Sequence, residues 1–306
     1  MDGRRDPVRR GPWRRALRRF RRRPVGIAAA IVFGAFVVVA LFAGSIAPYP
    51  AGREFLQFMQ RPQPPLTAHH LLGTDVLSHD FLTELVFAVH QTVLSGLVCA
   101  AAATVVGVAA GALAGYYGGA IDAVVTWITG VAVSIPAMGI LVIVLIWSRV
   151  TVTPLNDGLW LAAVLWTGVA RVVRASVMSL RTRAYVDAAQ ASGASSLRIL
   201  VRHVLPNAAG PIVVAATSLV AQAIVIVATV NYLGYSFDTA EKPTLGGLVS
   251  GATASTSGAL LTGPTSLGRL WWLYVFPAVA LVLLLMSIAF LGDALDEALN
   301  PSAASR

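Results

Sequence analysis

The sequence of 306 residues has little charge for its length. Only 12% of its residues are charged and 57% are hydrophobic. An average soluble domain has about a quarter of its residues charged. This composition cannot cover a globular surface with polar groups, which argues against a soluble enzyme. The abundant apolar surface also excludes intrinsic disorder. The composition is typical of an integral membrane protein.

Cysteine and catalytic motifs are also scarce. The single cysteine, Cys99, lies in an apolar run, and alone it forms neither an intrachain disulfide nor a cysteine-based metal site. The chain has no His-Glu-x-x-His, Gly-x-Ser-x-Gly or Walker-type phosphate motif. We therefore expect no catalytic residue, no metal and no cofactor in this chain. Any ATP hydrolysis then has to come from a separate subunit.

The formal net charge of +9 is confined to the N-terminus. Residues 1–23 hold eleven Arg and two acidic residues, while the other 283 residues hold twelve of each sign. Such an arm fits a nucleic-acid binder, a secretory signal or the flank of a first transmembrane helix. Residues 24–47 carry no charge and are longer than a signal h-region of roughly 7–15 residues. A retained span with a cytoplasmic arm is favoured, and no nucleic-acid partner is expected.

The apolar runs predict an all-α, polytopic membrane protein with six transmembrane helices. The predicted spans are 25–47, 89–115, 121–147, 158–180, 208–233 and 271–291. The predicted external loops are 48–88, 148–157 and 234–270. The predicted domains are a basic arm at 1–23, a six-helix unit at 24–301 and a tail at 302–306.

The distribution of Lys and Arg predicts the orientation of the chain. Eleven lie in the arm and six at 171–202, whereas five are spread over the three predicted external loops. The positive-inside rule then places both termini in the cytoplasm. Arg171 and Arg174, in the last turns of the fourth span, are expected to snorkel to the interface.

Residues 181–207 form a polar, basic segment that is too polar to span a membrane. Alanines favour a helix at 184–191, Gly193 ends it, and Ser195 and Ser196 can cap a second helix. Pro206 is expected to end that helix before the fifth span. The segment therefore reads as a cytoplasmic helix–Gly–helix unit, with small residues suited to a partner's groove. The alternative is an amphipathic linker on the membrane surface.

This segment resembles the EAA loop of binding-protein-dependent ABC importers. Asp187-Ala188-Ala189 precede Gly193 by the spacing of that family, and Leu205-Pro206 close the pattern. Asp187 replaces the family's Glu, and His203 occupies a position that is usually apolar. The resemblance implies that these residues form a coupling surface for a separate ATPase.

Other motifs resemble the C-type permease of the dipeptide/oligopeptide/nickel branch, over about residues 24–301. One is the motif of His70, Gly73, Thr74 and Asp75 before the second span. The others are the turn at 115–119, Phe276-Pro277, and the tail motif at 291–301. The loop after the fifth span departs most from the branch pattern.

The resemblance implies the type I ABC importer permease fold in a bacterial cytoplasmic membrane. It implies a homologous B-type permease, two ATPase domains that bind ATP and Mg, and an extracytoplasmic binding protein that delivers short peptides. Two alternatives remain, namely an importer of nickel or another solute, and an ion-coupled carrier without an ATPase. The lack of a mid-span acid in most spans argues against the carrier.

Two sets of polar residues are candidate sites. A metal site is conceivable because histidine and carboxylate ligands occur together at His69, His70, Asp75, His79 and Asp80. We instead favour a turn at Gly73–Asp75 in which Asp75 caps the next helix, and hence no metal.

The second set lies within the predicted spans. Polar groups there are candidates for a translocation path, and they are Ser134, Thr217, Gln222 and Asn231, beside Pro136. The alternative role is hydrogen bonding between helices. Pro136 also predicts a kink in the third span.

Overall fold

The computed structural model describes residues 12–52, 62–67, 70–148, 153–235, 242–257 and 270–299. Within these ranges the regular secondary structure is helical, with two isolated β-bridges. The helices are α1 (Pro12–Phe20), α2 (Pro24–Leu41), α3 (Ala43–Ile46), α4 (Phe81–Tyr117), α5 (Gly119–Ser134), α6 (Ala137–Ser148), α7 (Pro154–Leu180), α8 (Ala184–Ala191), α9 (Ser196–Ile199), α10 (Leu205–Tyr232), α11 (Leu245–Ser257) and α12 (Trp271–Leu299).

Five of these helical segments are long and apolar enough to cross a membrane. They are α2, α4, α7, α9 continued into α10, and α12. Helices α5 and α6 make a sixth if the bent pair is one span, since they meet at an angle of 76°. The all-α polytopic fold is therefore confirmed. The predicted kink is also present, because α5 ends at Ser134 and α6 begins after Pro136.

The centre of the bundle is the pair of parallel helices α4 and α7. Glycines of α4 face the α7 backbone, and a Cβ on Gly107 would lie 2.8 Å from the Trp166 carbonyl oxygen. Helix α10 runs antiparallel to α4, with Ile224 against Gly96. Small residues at four-residue spacing allow such close backbone approach in membrane helices.

The contacts between helices place both ends of the described chain at the same end of the bundle. Arg23, just before α2, forms an ion pair with Glu297 near the end of α12. At the opposite end, His90 Nδ1 of α4 lies 2.6 Å from the Ala40 carbonyl oxygen of α2. Helix α2 is therefore antiparallel to both α4 and α12. The start of α2, the end of α12 and the α4–α5 turn therefore share one end.

Helices α4, α7 and α12 each extend at least four residues beyond the predicted spans. Helix α4 begins at Phe81 rather than near residue 89, because the Asp80 carboxylate accepts hydrogen bonds from Thr83 N at 2.9 Å and Thr83 Oγ1 at 2.7 Å. Helix α7 begins at Pro154, where the Thr153 hydroxyl accepts from Asn156 N at 3.2 Å. Helix α12 continues to Leu299. The loops predicted at 48–88 and 148–157 are correspondingly shorter.

The predicted external loop at 234–270 contains helix α11. Leu245 N donates to Thr92 Oγ1 of α4 at 3.1 Å, and a Cβ on Gly246 would lie 2.0 Å from the Ala228 carbonyl oxygen. Helix α11 thus returns to the bundle and packs where α4 meets the end of α10. Four parts of the chain lie outside the described residues, namely residues 1–11 of the arm, His69, residues 258–269 of the predicted loop and the tail at 302–306.

Candidate functional site

The segment between α7 and α10 forms a compact unit, called here the α8–α9 unit (Ala184–Val204). Val186 of α8 and Ile199 of α9 are fully buried, and Leu200 and Val204 are buried beside them. These four apolar side chains fix the unit to the bundle, since each removes apolar surface from solvent. The structure thus has the helix–Gly–helix arrangement predicted from the sequence.

The opposite side of α8 is open. Asp187 and Ala188 are exposed, and Ala189 is half-buried. The neighbouring exposed residues of α8 are Ala184, Tyr185, Gln190 and Ala191. The helix therefore presents short side chains and one carboxylate outward, while Val186 holds it from beneath. A helix with this division can insert its outer side into the groove of a partner.

Gly193 ends α8 in a left-handed conformation, with a φ of +76°. Its N–H donates to the Gln190 carbonyl oxygen at 2.9 Å, and Ala194 N donates to the Ala189 carbonyl oxygen at 3.2 Å. A Cβ at this position would meet no atom within 4 Å. The glycine is therefore required by backbone conformation rather than by space.

The second helix does not end at Pro206, contrary to the prediction. Helix α9 passes through a π-helical turn at Leu200–Val204 directly into α10, where Pro206 lies in the first turn. The wide turn before Pro206 accommodates the hydrogen bond that proline cannot donate. Leu205 is half-buried and Pro206 is exposed. As a result, α9 and α10 form one continuous element.

A polar groove of about 430 Å³ separates α8 from the ends of α4 and α7. Its lining includes Tyr116, Arg181, Asp187 and Gln190. Arg181 Nη1 donates to the carbonyl oxygens of Gly115 at 3.1 Å and Tyr116 at 3.2 Å. The guanidinium therefore neutralises carbonyl groups at the end of α4 and ties that end to the start of the α8–α9 unit.

Arg171 and Arg174, which are predicted to snorkel to the interface, both bind the neighbouring helix α5. Arg174 forms a two-point ion pair with Asp122 of α5, and its Nη2 lies 2.7 Å from Asp122 Oδ2. Arg171 Nη2 donates to the Thr129 carbonyl oxygen at 2.8 Å. Both arginines therefore bind α5 to α7. Asp122 was not identified from the sequence as the partner of Arg174.

The predicted translocation residues are dispersed in this chain. Ser134, Pro136 and Gln222 are exposed, Thr217 is half-buried, and Asn231 is buried. Ser134 Oγ donates to Gly130 O at 3.1 Å and Thr217 Oγ1 donates to Val213 O at 2.9 Å. These bonds lie within their own helices, and among the described residues neither hydroxyl has an interhelical hydrogen bond.

The motif before α4 forms a tight turn at the other end of the bundle. Gly73 has a φ of +81°, and a Cβ there would lie 2.3 Å from the Gln63 carbonyl oxygen. His70 Nδ1 lies 2.8 Å from Asp80 Oδ1. Thr74 is buried, and its carbonyl oxygen accepts from Trp272 Nε1 at 3.2 Å. The motif therefore fixes the start of α4 to α12.

Asp75 does not cap the following helix, because Asp80 does so. The Asp75 carboxylate instead closes the turn by accepting from Leu77 N at 2.9 Å and His79 N at 2.6 Å. Among the described residues, Asp75 and His79 form a cluster with Glu84 that has the geometry to hold a metal ion. Glu84 was not among the residues considered from the sequence.

Comparison with known proteins supplies the family. Residues 107–305 match the family described as "Binding-protein-dependent transport system inner membrane component". Residues 11–65 match the "N-terminal TM domain of oligopeptide transport permease C".

Three relatives match over nearly the whole chain. The oligopeptide transport system permease protein OppC of Mycobacterium bovis is 32% identical, covering 94% of each chain. The dipeptide transport system permease protein DppC of Alkalihalophilus pseudofirmus is 28% identical, covering 95% of this chain and 90% of the relative. The glutathione transport system permease protein GsiD of Pectobacterium atrosepticum is 27% identical, covering 97% of this chain and 93% of the relative. The chain therefore belongs to the family of binding-protein-dependent transport system inner membrane components, as a permease of the C type.

Proposed function

We propose that the chain is the C-type permease of an ATP-driven importer of short peptides. The observation that carries this proposal is the α8–α9 unit, whose apolar residues are buried in the bundle while Asp187 and Ala188 are exposed. The names of the relatives support peptides as the cargo, since two of them are named for oligopeptide and dipeptide transport. Nickel or another solute is the alternative cargo that the experiment below distinguishes.

The proposed site of action is a bacterial cytoplasmic membrane, with both termini in the cytoplasm. The arginine-rich arm and the α8–α9 unit then lie on the cytoplasmic side, in agreement with the positive-inside rule. The His70–Asp80 turn lies on the outer side, where an extracytoplasmic binding protein delivers the peptide. Two ATPase domains bind ATP and Mg²⁺ on the inner side, and this chain binds no nucleotide itself.

The proposed coupling step follows from how the α8–α9 unit is attached. The ATPase domains contact the exposed side of α8 around Ala188. Closure of the ATPase pair displaces α8, and the displacement reaches α10 because the π-helical turn makes α9 and α10 continuous. Arg181 transmits the same displacement to the end of α4. The permease then alternates between inward and outward openings.

The proposed partner in the membrane is a homologous B-type permease. Helix α5 has an extensive exposed apolar surface, and Trp127 is 68% exposed. Other exposed residues of this helix are Ile121, Val124, Val131 and Val133. We place Ser134, Pro136, Thr217, Gln222 and Asn231 on the translocation path that the two permeases form together. Three of these residues are exposed in this chain, which leaves them accessible to the second permease or to substrate.

The test is uptake into cells from which this chain has been deleted, with and without a copy restored. Labelled di-, tri- and hexapeptides and ⁶³Ni²⁺ are supplied separately, and a protonophore is added while ATP is maintained. We expect peptide uptake to require the chain and to survive the protonophore. If the deletion strain takes up peptides normally but no longer takes up nickel, the proposal that peptides are the cargo is wrong. Uptake abolished by the protonophore at constant ATP would instead indicate an ion-coupled carrier.

A further inference from the structure

The turn before α4 brings three metal-ligating side chains together. One ligand atom from each of Asp75, His79 and Glu84 lies within 4.8 Å of the other two. His79 is 3% exposed and Glu84 is 8% exposed, while Asp75 is partly open. The cluster joins the turn to the first turn of α4, and it lies at the end of the bundle opposite the α8–α9 unit.

The distances within the cluster fit a shared cation. His79 Nδ1 lies 3.0 Å from Asp75 Oδ2 and 3.4 Å from Glu84 Oε1. Ligand atoms placed tetrahedrally at about 2.0–2.1 Å from Zn²⁺ are separated by about 3.4 Å. The imidazole nitrogen is therefore at near-coordination spacing from both carboxylates at once.

A hydrogen-bond account explains only part of this arrangement. Nδ1 of an imidazole carries at most one hydrogen, which it can donate well to one carboxylate. Asp75 Oδ2 at 3.0 Å is the nearer acceptor, so the Glu84 oxygen at 3.4 Å is left with a weak contact to this nitrogen. A metal ion bonds to all three groups together.

The charges around the cluster also favour a bound cation. Asp75, Asp80 and Glu84 are three carboxylates close to one another, and Asp80 and Glu84 are buried. His70 faces Asp80 and His79 faces the other two, so two imidazoles are shared among three acids. A buried carboxylate is stabilised by protonation, by a paired charge or by a metal ion, and a metal ion would serve Asp75 and Glu84 together.

We propose that Asp75, His79 and Glu84 bind a divalent transition-metal ion, with Zn²⁺ as the probe. One imidazole nitrogen and two carboxylate oxygens form a donor set that Zn²⁺ accepts, and water can reach a fourth position past the partly open Asp75. The ion clamps the turn onto α4. His70 and Asp80, which the sequence grouped with this cluster, form a separate pair. The proposal revises the expectation of no metal.

The test uses the assembled importer, purified without a polyhistidine tag and stripped of metal with a chelator. Zn²⁺ is titrated, and bound zinc is counted by elemental mass spectrometry. We expect the stripped, unaltered complex to bind about one Zn²⁺ per permease at this site. In Glu84→Gln and Asp75→Asn the affinity for Zn²⁺ should be at least tenfold weaker. His90→Gln removes a histidine of α4 outside the cluster and is expected to retain the zinc.

A second measurement separates loss of the site from loss of folding. Zn²⁺ is expected to raise the thermal midpoint of the unaltered complex and of His90→Gln, but not that of Glu84→Gln. Two results would overturn the proposal. One is no zinc bound at micromolar concentration by the unaltered complex. The other is equal zinc binding by folded Glu84→Gln and Asp75→Asn. The assay contains no peptide, so its outcome is independent of the proposed cargo.

Discussion

Gly111 of α4 lies so close to α7 that a Cβ there would be 2.4 Å from the carbonyl oxygen of Ala170. One turn further along α4, a Cβ on Gly115 would lie 2.7 Å from the Arg174 carbonyl oxygen. Real Cβ atoms do not approach backbone oxygens this closely. The two helices therefore form a rigid parallel pair, and this pair supports the start of the α8–α9 unit through Arg181.

Alanine at residue 111 is expected to separate this pair. Gly111→Ala should destabilise the protein by about 1–3 kcal/mol, because the added methyl group forces one backbone away from the other. Gly34→Ala in α2 is the matched control, since a Cβ there meets no atom within 4 Å. Helix propensity favours Ala over Gly by about 0.5–1 kcal/mol, so this control should be neutral or stabilised. Thermal midpoints of the purified complexes measure both, and an equal shift for the two variants would contradict the packing account.

The left-handed conformation of Gly193 determines which substitutions this position accepts. Gly193→Val should reduce peptide-stimulated ATP hydrolysis strongly, because a β-branched residue at a φ of +76° is strained by about 1–2 kcal/mol or more. Gly193→Asn should retain most of the activity, since asparagine enters the left-handed region more readily. Equal activity of the two variants would show that the φ angle of this residue has no role in positioning α8.

The ion pair between Arg174 and Asp122 can be tested by charge exchange. Both Arg174→Asp and Asp122→Arg place like charges together and should lower the thermal midpoint. The double exchange restores opposite charges and should recover about 1 kcal/mol relative to the sum of the single variants. Both side chains are partly exposed, 30% and 23%, which keeps this coupling modest. If the double exchange destabilises the protein by the sum of the two single effects, the ion pair does not hold α5 to α7.

The proposed orientation can be read from cysteine labelling, because the natural Cys99 is fully buried. In Leu77→Cys the new thiol replaces a side chain that is 61% exposed at the turn before α4. In Ala188→Cys it lies on the exposed side of α8. A membrane-impermeant maleimide added to intact spheroplasts should label Leu77→Cys but not Ala188→Cys. After permeabilisation it should label Ala188→Cys as well. The reverse pattern would invert the topology, and the unaltered chain is the background control.

The span pattern was predictable because it depends on composition and length alone. Long, mainly apolar runs identify α2, α4, α7, α10 and α12 whatever their neighbours are. The kink at Pro136 was predictable as well, since proline removes a helical hydrogen bond locally. Helix ends were less accurate. The cap on α4 is Asp80 rather than Asp75, and both residues fit the capping preference equally well.

Contacts between distant segments were not predictable from one sequence. Trp272, at the start of α12, is 4% exposed and donates to the Thr74 carbonyl oxygen, 198 positions away. Helix α11 was interpreted as loop because its glycines and serines are typical of irregular segments. Gly246 is there because α11 and α10 approach closely. Such roles depend on the neighbouring helix, which local propensity does not reveal.

The exposed side of α8 is the surface that we propose couples this permease to its ATPase subunits. The direct measurement is retention of the ATPase subunits when the permease is purified carrying Ala188→Trp, compared with Ala28→Trp on the exposed side of α2. Both variants add the same bulk at an exposed alanine. The account predicts that Ala188→Trp loses the ATPase subunits while Ala28→Trp retains them. Full retention and normal ATP-driven uptake with Ala188→Trp would contradict it.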